Sequence, residues 1–393
     1  MSNSPVVNIP FNRPTVAGEE LAYLSQAIEN GYVAGDSSFT AKCHGYLERM
    51  LEVPRVLLTT SCTHALEMTA LLLDLQPGDE VIVPSFTFVS TANAFALRGA
   101  RPVFIDIRPD TLNLDERQLE SLITGRTRLV VPVHYAGVGC EMDEILAIAG
   151  RHGIHVVEDN AHGLFGRYKG RFLGTFGTFA TQSFHGTKNI TCGEGGALLI
   201  NDRTFIERAE IIREKGTNRK RFIRGQVDKY TWVDIGSSYL PSDLLAAYLY
   251  AQLEAHGEIQ AKRKRIWEYY DQHLRAWPGT CNVTLPVIPP DCEQTYHMYY
   301  ILLSSPQERQ NLIDHLKSRG ISSVFHYLPL HLSQMGKEFG GKEGDCPVTE
   351  DISGRLLRLP FFTDLREEEQ AKVVEALWDF EPQSVYWSLS LAA

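Results

Sequence analysis

The chain predicts an α/β fold, with a large, mostly parallel sheet domain over residues 1–254 and a smaller α+β domain over 255–393. Two observations carry this reading. Short apolar runs alternate with helical patterns from residue 56 to 157, the order that parallel strands with right-handed crossovers require. Between His155 and Leu199 further apolar runs end in residues able to do chemistry, as strands buried on both faces do in open α/β sheets. A length of 393 residues is ample for two domains.

Residues 1–14 read as an extended arm. Leu21, Leu24 and Ile28 recur at helical spacing within Glu19–Glu29, and a second helix follows from about Ala41 to Leu51. The strand Val56–Leu58 runs through Thr59-Thr60-Ser61-Cys62-Thr63 into a helix, His64–Leu75. Such a turn is either a set of ordinary N-caps or an anion site, because its free N–H groups and the helix dipole favour phosphate. Glu80–Pro84 is a strand, and Phe88 just beyond it can stack on a flat ring or fill the core. Pro102–Ile107 and Leu129–Val133 are strands, with helices near Asp115–Ile123 and Met142–Arg151. Gly137-Val138-Gly139 lacks the third glycine of a dinucleotide fingerprint, since Met142 stands there. A helix is expected from Asp202 to Glu214. The Lys- and Arg-rich run Lys215–Arg224 after it is either a solvated loop or a surface for an anionic substrate. Pro241-Ser242-Asp243 starts a long helix. Beyond 255, His297–Leu303 and Ser322–His326 read as strands and Pro306–Arg319 as a helix.

The chemistry concentrates between residues 155 and 200. The first apolar run ends in Glu158 and Asp159; Thr178–Phe184 leads to His185-Gly186-Thr187-Lys188, then Gly193-Glu194-Gly195-Gly196. A lysine in a partly dry site can lose its proton near neutral pH and attack a carbonyl. A strand-end carboxylate can keep a pyridine nitrogen protonated, which makes that ring an electron sink. Alone, Asp159 would be a helix cap and Lys188 a surface residue. Together, beside a loop of glycines, they point to pyridoxal phosphate (PLP).

Composition excludes other classes. With 44% hydrophobic and 22% charged residues the protein reads as soluble and globular, and a net charge of −10 gives no electrostatic footprint for nucleic acid. No apolar run approaches the roughly 20 residues that span a bilayer. The N-terminus lacks the basic and apolar regions of a secretory signal. Seven cysteines without a Cys-x-x-Cys pair argue against a disulfide framework or zinc knuckle, and no HExxH occurs, so no metal site is expected and the cytoplasm is the expected compartment.

Motifs spread along the chain, TSCTHALEM, PGDEVIVPSFTFVSTANAF, FIDIRPDTLNLD, VPVHYAG, VVEDNAHG, SFHGTKNITCGEGGALLIND and FHYLPLH, resemble the DegT/DnrJ/EryC1/StrS sugar aminotransferases. That resemblance implies the type I, aspartate aminotransferase fold. It implies that Lys188 carries PLP as a Schiff base and moves protons, that Asp159 pairs with the pyridine nitrogen, that Phe88 stacks on the ring and that His162 lies against it. Backbone N–H groups of Thr63 and His64, with the Ser183 hydroxyl, would hold the phosphate. Ser238 stands where many relatives carry the Asn of a GxNxR motif that reaches the neighbouring subunit's phosphate, a shorter side chain at that contact. His185, Glu194, Arg219, His326 and His331 form the expected substrate set. The implied reaction takes an amino group from L-glutamate to C4 of dTDP-4-keto-6-deoxy-D-glucose, for surface polysaccharide such as lipopolysaccharide or enterobacterial common antigen. A homodimer with shared sites is expected. A 3-keto sugar aminotransferase is the alternative enzyme, and a non-enzymatic regulator of the same fold ranks below it. Some relatives replace the lysine with His and are dehydratases; Lys188 favours amino transfer.

Overall fold

The computed structural model describes residues 8–277 and 283–381. Its centre is a seven-stranded sheet. In chain order the strands of the first half are β1 (Arg55–Thr59), β2 (Glu80–Pro84), β3 (Arg101–Ile105), β4 (Thr127–Val130), β5 (His155–Asp159), β6 (Arg167–Tyr168), β7 (Arg171–Phe172), β8 (Phe179–Ser183) and β9 (Gly196–Ile200). The large sheet has the order β1-β9-β8-β5-β4-β2-β3, while β6 and β7 form a hairpin apart from it. β9 runs antiparallel to both neighbours, and the remaining pairs are parallel. The carboxyl ends of β1, β2, β5 and β8 therefore meet the start of β9 along one edge, where Thr59 and Ser183 both sit opposite Gly196.

Alternation along the strands sorts the core into layers. Leu57, Val81, Leu129, Val157, Phe179 and Leu198 face one cluster with Leu66 and Phe95 of the covering helices. Val56, Leu58, Ala180 and Leu199 face another with Leu47 and Leu253, and Ile82, Val130 and Val156 a third with Ile145. Each such buried side chain contributes about 1.5–3 kcal/mol. Farther on, β10 (Cys292–Glu293) joins the β6–β7 hairpin, and β11 (Tyr300–Leu302) pairs antiparallel with β12 (Leu356–Arg358). A separate apolar cluster gathers around that last pair: Tyr270, Trp277, Tyr299, Leu312, Phe362 and Leu377, with Ile9 of the arm inserted among them.

Several elements differ from expectation. The helix expected from Asp202 begins as a 3₁₀ turn, Arg203–Phe205, because the Asp202 carboxylate accepts from Thr204 N. Ser322–His326 is no regular strand: Ser322 N donates to Ile9 O of the arm, and Val324 forms an isolated bridge with Arg358, the last residue of β12. The helix His256–Leu274 is an addition. Its buried stripe includes Arg263, which interrupts the apolar spacing.

One buried carboxylate cross-ties the catalytic edge. Glu158, fully buried, accepts from Gly174 N (2.7 Å), Phe176 N (2.7 Å), Gly177 N (2.8 Å) and His134 Nε2 (3.0 Å). Cys140 N donates to His134 Nδ1, so Nε2 bears the proton that reaches Glu158. Glu158→Ala strands these donors in a dry interior, and we expect a loss of roughly 3–5 kcal/mol in urea unfolding, with Glu158→Gln losing less. A change below about 1 kcal/mol would contradict this account.

Candidate active site

The carboxyl edge of the sheet opens into a cavity of about 570 Å³. Lys188 stands in its wall, two turns of backbone hydrogen bonding after β8: Phe184 N donates to Gly195 O and Gly186 N to Gly193 O (both 2.8 Å), and Lys188 N to His185 O at 2.8 Å. Nζ has no hydrogen-bond or ion-pair partner among the described residues. Burial pushes its pKa down to about 8; Cys62 and Asp159 hold it up, and Arg358 lowers it further. The chain thus offers a largely uncommitted amine that is partly neutral at physiological pH.

Asp159, at the end of β5, lines the same cavity. Its Oδ2 accepts from Thr91 Oγ1 (2.7 Å), which is itself bonded to Thr87 Oγ1 (2.9 Å), and Oδ1 accepts from Ala161 N (3.2 Å). The carboxylate is buried, and no cation lies within ion-pair distance of it among the described residues. A buried anion of this kind needs a positive donor, and the protonated nitrogen of a pyridine ring supplies one. His162, on the same cavity, is buried, and its Nδ1 has no partner among the described residues. Phe88 stands 56% exposed at the rim, its ring 6.4 Å from that of Tyr327.

The third feature is the turn from β1 into the helix Cys62–Leu72. Ser61 caps this helix by accepting from His64 N at 3.1 Å, which leaves the Cys62 and Thr63 N–H groups without acceptors among the described residues. Gly196 packs so closely beneath the turn that a Cβ there would overlap the Ser61–Cys62 peptide. With the hydroxyls of Thr63, Ser90 and Ser183 on the same wall, this end suits a phosphate. A buried carboxylate, a depressed lysine and an anion-binding helix end, all on one cavity, fit PLP.

The cavity brings together Thr63, Phe88, Asp159, His162, Ser183, His185, Lys188, Glu194 and His326. His185 and Glu194 are exposed on its rim and face each other at 3.5 Å. Other members of the expected set lie elsewhere. His64 gives its N–H to the cap, and its ring bonds Thr60 Oγ1, so it is not free for phosphate. His331 is fully buried, its Nδ1 2.6 Å from Ser85 Oγ and its Nε2 3.0 Å from Glu350 Oε1, and it does not line the cavity. Arg219 is also absent from the wall. The basic run it belongs to is paired internally: Lys215 and Arg219 with Glu214 (3.2 and 3.6 Å), Lys220 with Asp36 (2.7 Å), Arg221 with Glu207 (3.3 Å) and Arg224 with Glu210 (2.7 Å). Those carboxylates hold the charge that the sequence offered to a diphosphate. Ser238 is exposed and outside this chain's own cavity.

Arg358, His297 and Phe11 are among the cavity residues missed in the sequence. Arg358 closes β12; its Nη2 donates to Phe325 O (3.3 Å), its guanidinium lies 4.7 Å from the Phe11 ring centroid, and its buried Nε has no partner among the described residues. No carboxylate pairs with it among the described residues, and burial lowers its pKa. An arginine inside the apolar run LeuLeuArgLeuPro was the available signal. His297, at the head of an apolar run, and Phe11 of the arm also line the cavity.

A family model, the DegT/DnrJ/EryC1/StrS aminotransferase family, matches residues 14–378. The chain belongs to this family. It is a PLP-dependent aminotransferase, and its α/β architecture is that of its solved relatives. Among proteins similar to it, the spore coat polysaccharide biosynthesis protein SpsC of Bacillus subtilis is 31% identical over 379 residues, covering 94% of this chain and 96% of the relative. A DegT/DnrJ/EryC1/StrS aminotransferase from Brucella abortus superposes with a TM-score of 0.84 at 30% identity, over 92% of this chain and 95% of that one. The PLP form of a Streptococcus pneumoniae protein described as a sugar aminotransferase superposes with a TM-score of 0.87 at 27% identity, over 94% and 97% of the two chains.

In the cofactor-free protein, the rate at which an acylating reagent labels Lys188 should rise with pH and level off above a midpoint near 8, because only the neutral amine reacts. Peptide-resolved mass spectrometry measures this. A midpoint at the ordinary lysine value of 10.5 would contradict the desolvated site.

Proposed function

We propose that this family member transfers the amino group of L-glutamate to C4 of dTDP-4-keto-6-deoxy-D-glucose, giving dTDP-4-amino-4,6-dideoxy-D-galactose for surface polysaccharide. The observation that carries the transaminase site is the presence, in one cavity, of the desolvated Lys188 and of Arg358, whose Nε has no partner and whose guanidinium has no carboxylate among the described residues. The amine suits a carbonyl cofactor; the guanidinium suits the α-carboxylate of an amino acid donor, to which it can present two parallel N–H groups. The choice of sugar rests on the stretch from Arg213 to Leu240, REKGTNR through DIGSSYL, which resembles that of dTDP-4-amino-4,6-dideoxygalactose transaminases, and on relatives described as sugar aminotransferases or polysaccharide-synthesis proteins.

Bound PLP supplies an electron sink and carries the amine between the two halves of the reaction. Lys188 would hold it through Nζ and, once released, would take a proton from the substrate carbon and return it. Asp159 would keep the ring nitrogen protonated, with Thr91 fixing the carboxylate's orientation. The N–H groups of Cys62 and Thr63 and the hydroxyl of Ser183 would hold the phosphate, Phe88 and His162 would flank the ring, and His326 with the rim residues His185 and Glu194 would meet the sugar. Ser238, exposed on its loop, would reach the phosphate held by a second copy in a homodimer. The same loop exposes Trp232 (75%), Val233 and Ile235, an apolar surface suited to burial by that copy. We place the enzyme in the cytoplasm, where nucleotide sugars and glutamate are available.

Incubation with PLP, glutamate and the 4-keto sugar nucleotide should give an axial C4 amine, read from the proton couplings around C4 by NMR. An equatorial amine would retain the aminotransferase and reject the galactose product. Turnover of a 3-keto isomer alone would move the amination to C3.

A further inference from the structure

His297 lines the cavity beside Lys188, and its hydrogen bonding is fixed from behind. Two devices set its position. Arg263, buried and without a carboxylate partner among the described residues, donates from Nε to Tyr296 O (3.0 Å) and from Nη2 to His297 O (2.6 Å). Tyr296 between them has φ +52°, a left-handed bend that a bulky side chain seldom takes unless its surroundings impose it. The ring of His297 then stacks on that of His162, centroids 4.2 Å apart and planes 20° from parallel.

Asn189, the residue after Lys188, decides which nitrogen of His297 bears the proton. Its Nδ2 donates to Thr295 O (2.7 Å) and to Gln260 Oε1 (3.3 Å), so the amide can be assigned only one way round. Oδ1 therefore faces His297 Nδ1 at 2.8 Å and must accept from it. Burial, with His162, Lys188, Arg263 and Arg358 nearby, holds the ring well below its ordinary pKa, so it is neutral. With Nδ1 carrying the hydrogen, Nε2 carries a lone pair, and it has no partner among the described residues.

Of the cavity's other groups, the Lys188 amine, Arg358 Nε and the free N–H groups of the phosphate turn are donors, Asp159 already accepts from Thr91 Oγ1 and Ala161 N, and His162 Nδ1 is likewise without a partner among the described residues. An acceptor nitrogen repels a carboxylate or phosphate oxygen and favours a hydroxyl. We propose that His297 is a specificity-determining residue that reads a ring hydroxyl of the acceptor sugar through Nε2. This inference rests on the sugar-nucleotide reading above.

The test is calorimetric binding to the PLP-loaded enzyme without an amino donor, so that no turnover occurs. The ligands are the 4-keto-6-deoxy sugar nucleotide and its analogues lacking the 2- or the 3-hydroxyl. The wild-type enzyme should bind one analogue about ten- to a hundredfold more weakly than the parent, the effect of leaving a buried acceptor unmatched. In His297→Phe, which keeps a stacking ring but no acceptor, that ratio should fall close to one. His297→Gln, which keeps an acceptor and covers the case of a poorly folded Phe variant, should retain part of it. Equal weakening of all ligands in both variants, or a wild-type enzyme indifferent to both hydroxyls, would overturn the role of His297 while leaving the sugar reading in place. A wild-type enzyme that binds no sugar nucleotide would remove both.

Discussion

The Glu158 carboxylate is the constraint on which the catalytic edge depends. Neighbouring residues on a strand point to opposite faces, so the side chain that locks the sheet and the one that faces the cofactor are adjacent in sequence. Glu158 gathers the N–H groups of Gly174, Phe176 and Gly177, which precede β8, and the imidazole of His134, which follows β4. The central strands are thereby tied at one depth. Asp159 is delivered to the cavity on one of them, and the loop carrying Lys188 leaves from the next. Desolvating an anion is costly unless every lone pair is used. Here four donors surround it, and that saturation makes the register unique.

The cavity uses the opposite principle. Its charged groups are left incompletely satisfied by the protein. Among the described residues Asp159 has a hydroxyl and an amide for partners but no cation, Lys188 has no acceptor, and Arg358 has a buried nitrogen with nothing to meet. Each deficiency costs stability in the empty site and is met by a group of the cofactor or the amino donor. The helix end at Cys62 and Thr63 follows the same rule, with its orphan N–H groups held open by the close approach of Gly196.

Much of this was legible in the sequence, in proportion to how local the signal is. Strand–helix alternation, the strand-end Asp159 and the position of Lys188 before a glycine-rich turn depend on neighbours within a few residues. Features set by distant partners were not legible. The basic run at 215–224 looks free in one dimension, yet Lys220 finds Asp36 far back in the chain and Arg224 finds Glu210. His326 and His331 look alike in FHYLPLH, but Ser85 and Glu350 draw His331 into the interior while His326 stays on the cavity wall. His64 was one residue too far along: the Ser61 cap, a matter of backbone angles, takes its N–H. The helix at 256–274 was hidden by Arg263, a charged residue in a buried stripe whose partners are backbone carbonyls 33 or more positions away.

The central claim is that Lys188 is the residue that carries the cofactor. The direct measurement is borohydride reduction of the PLP-loaded enzyme, followed by digestion and mass-spectrometric mapping of the pyridoxyl group. The account predicts the label on the peptide containing Lys188, and none in Lys188→Ala. A label on any other lysine, or unchanged labelling in that variant, would contradict it.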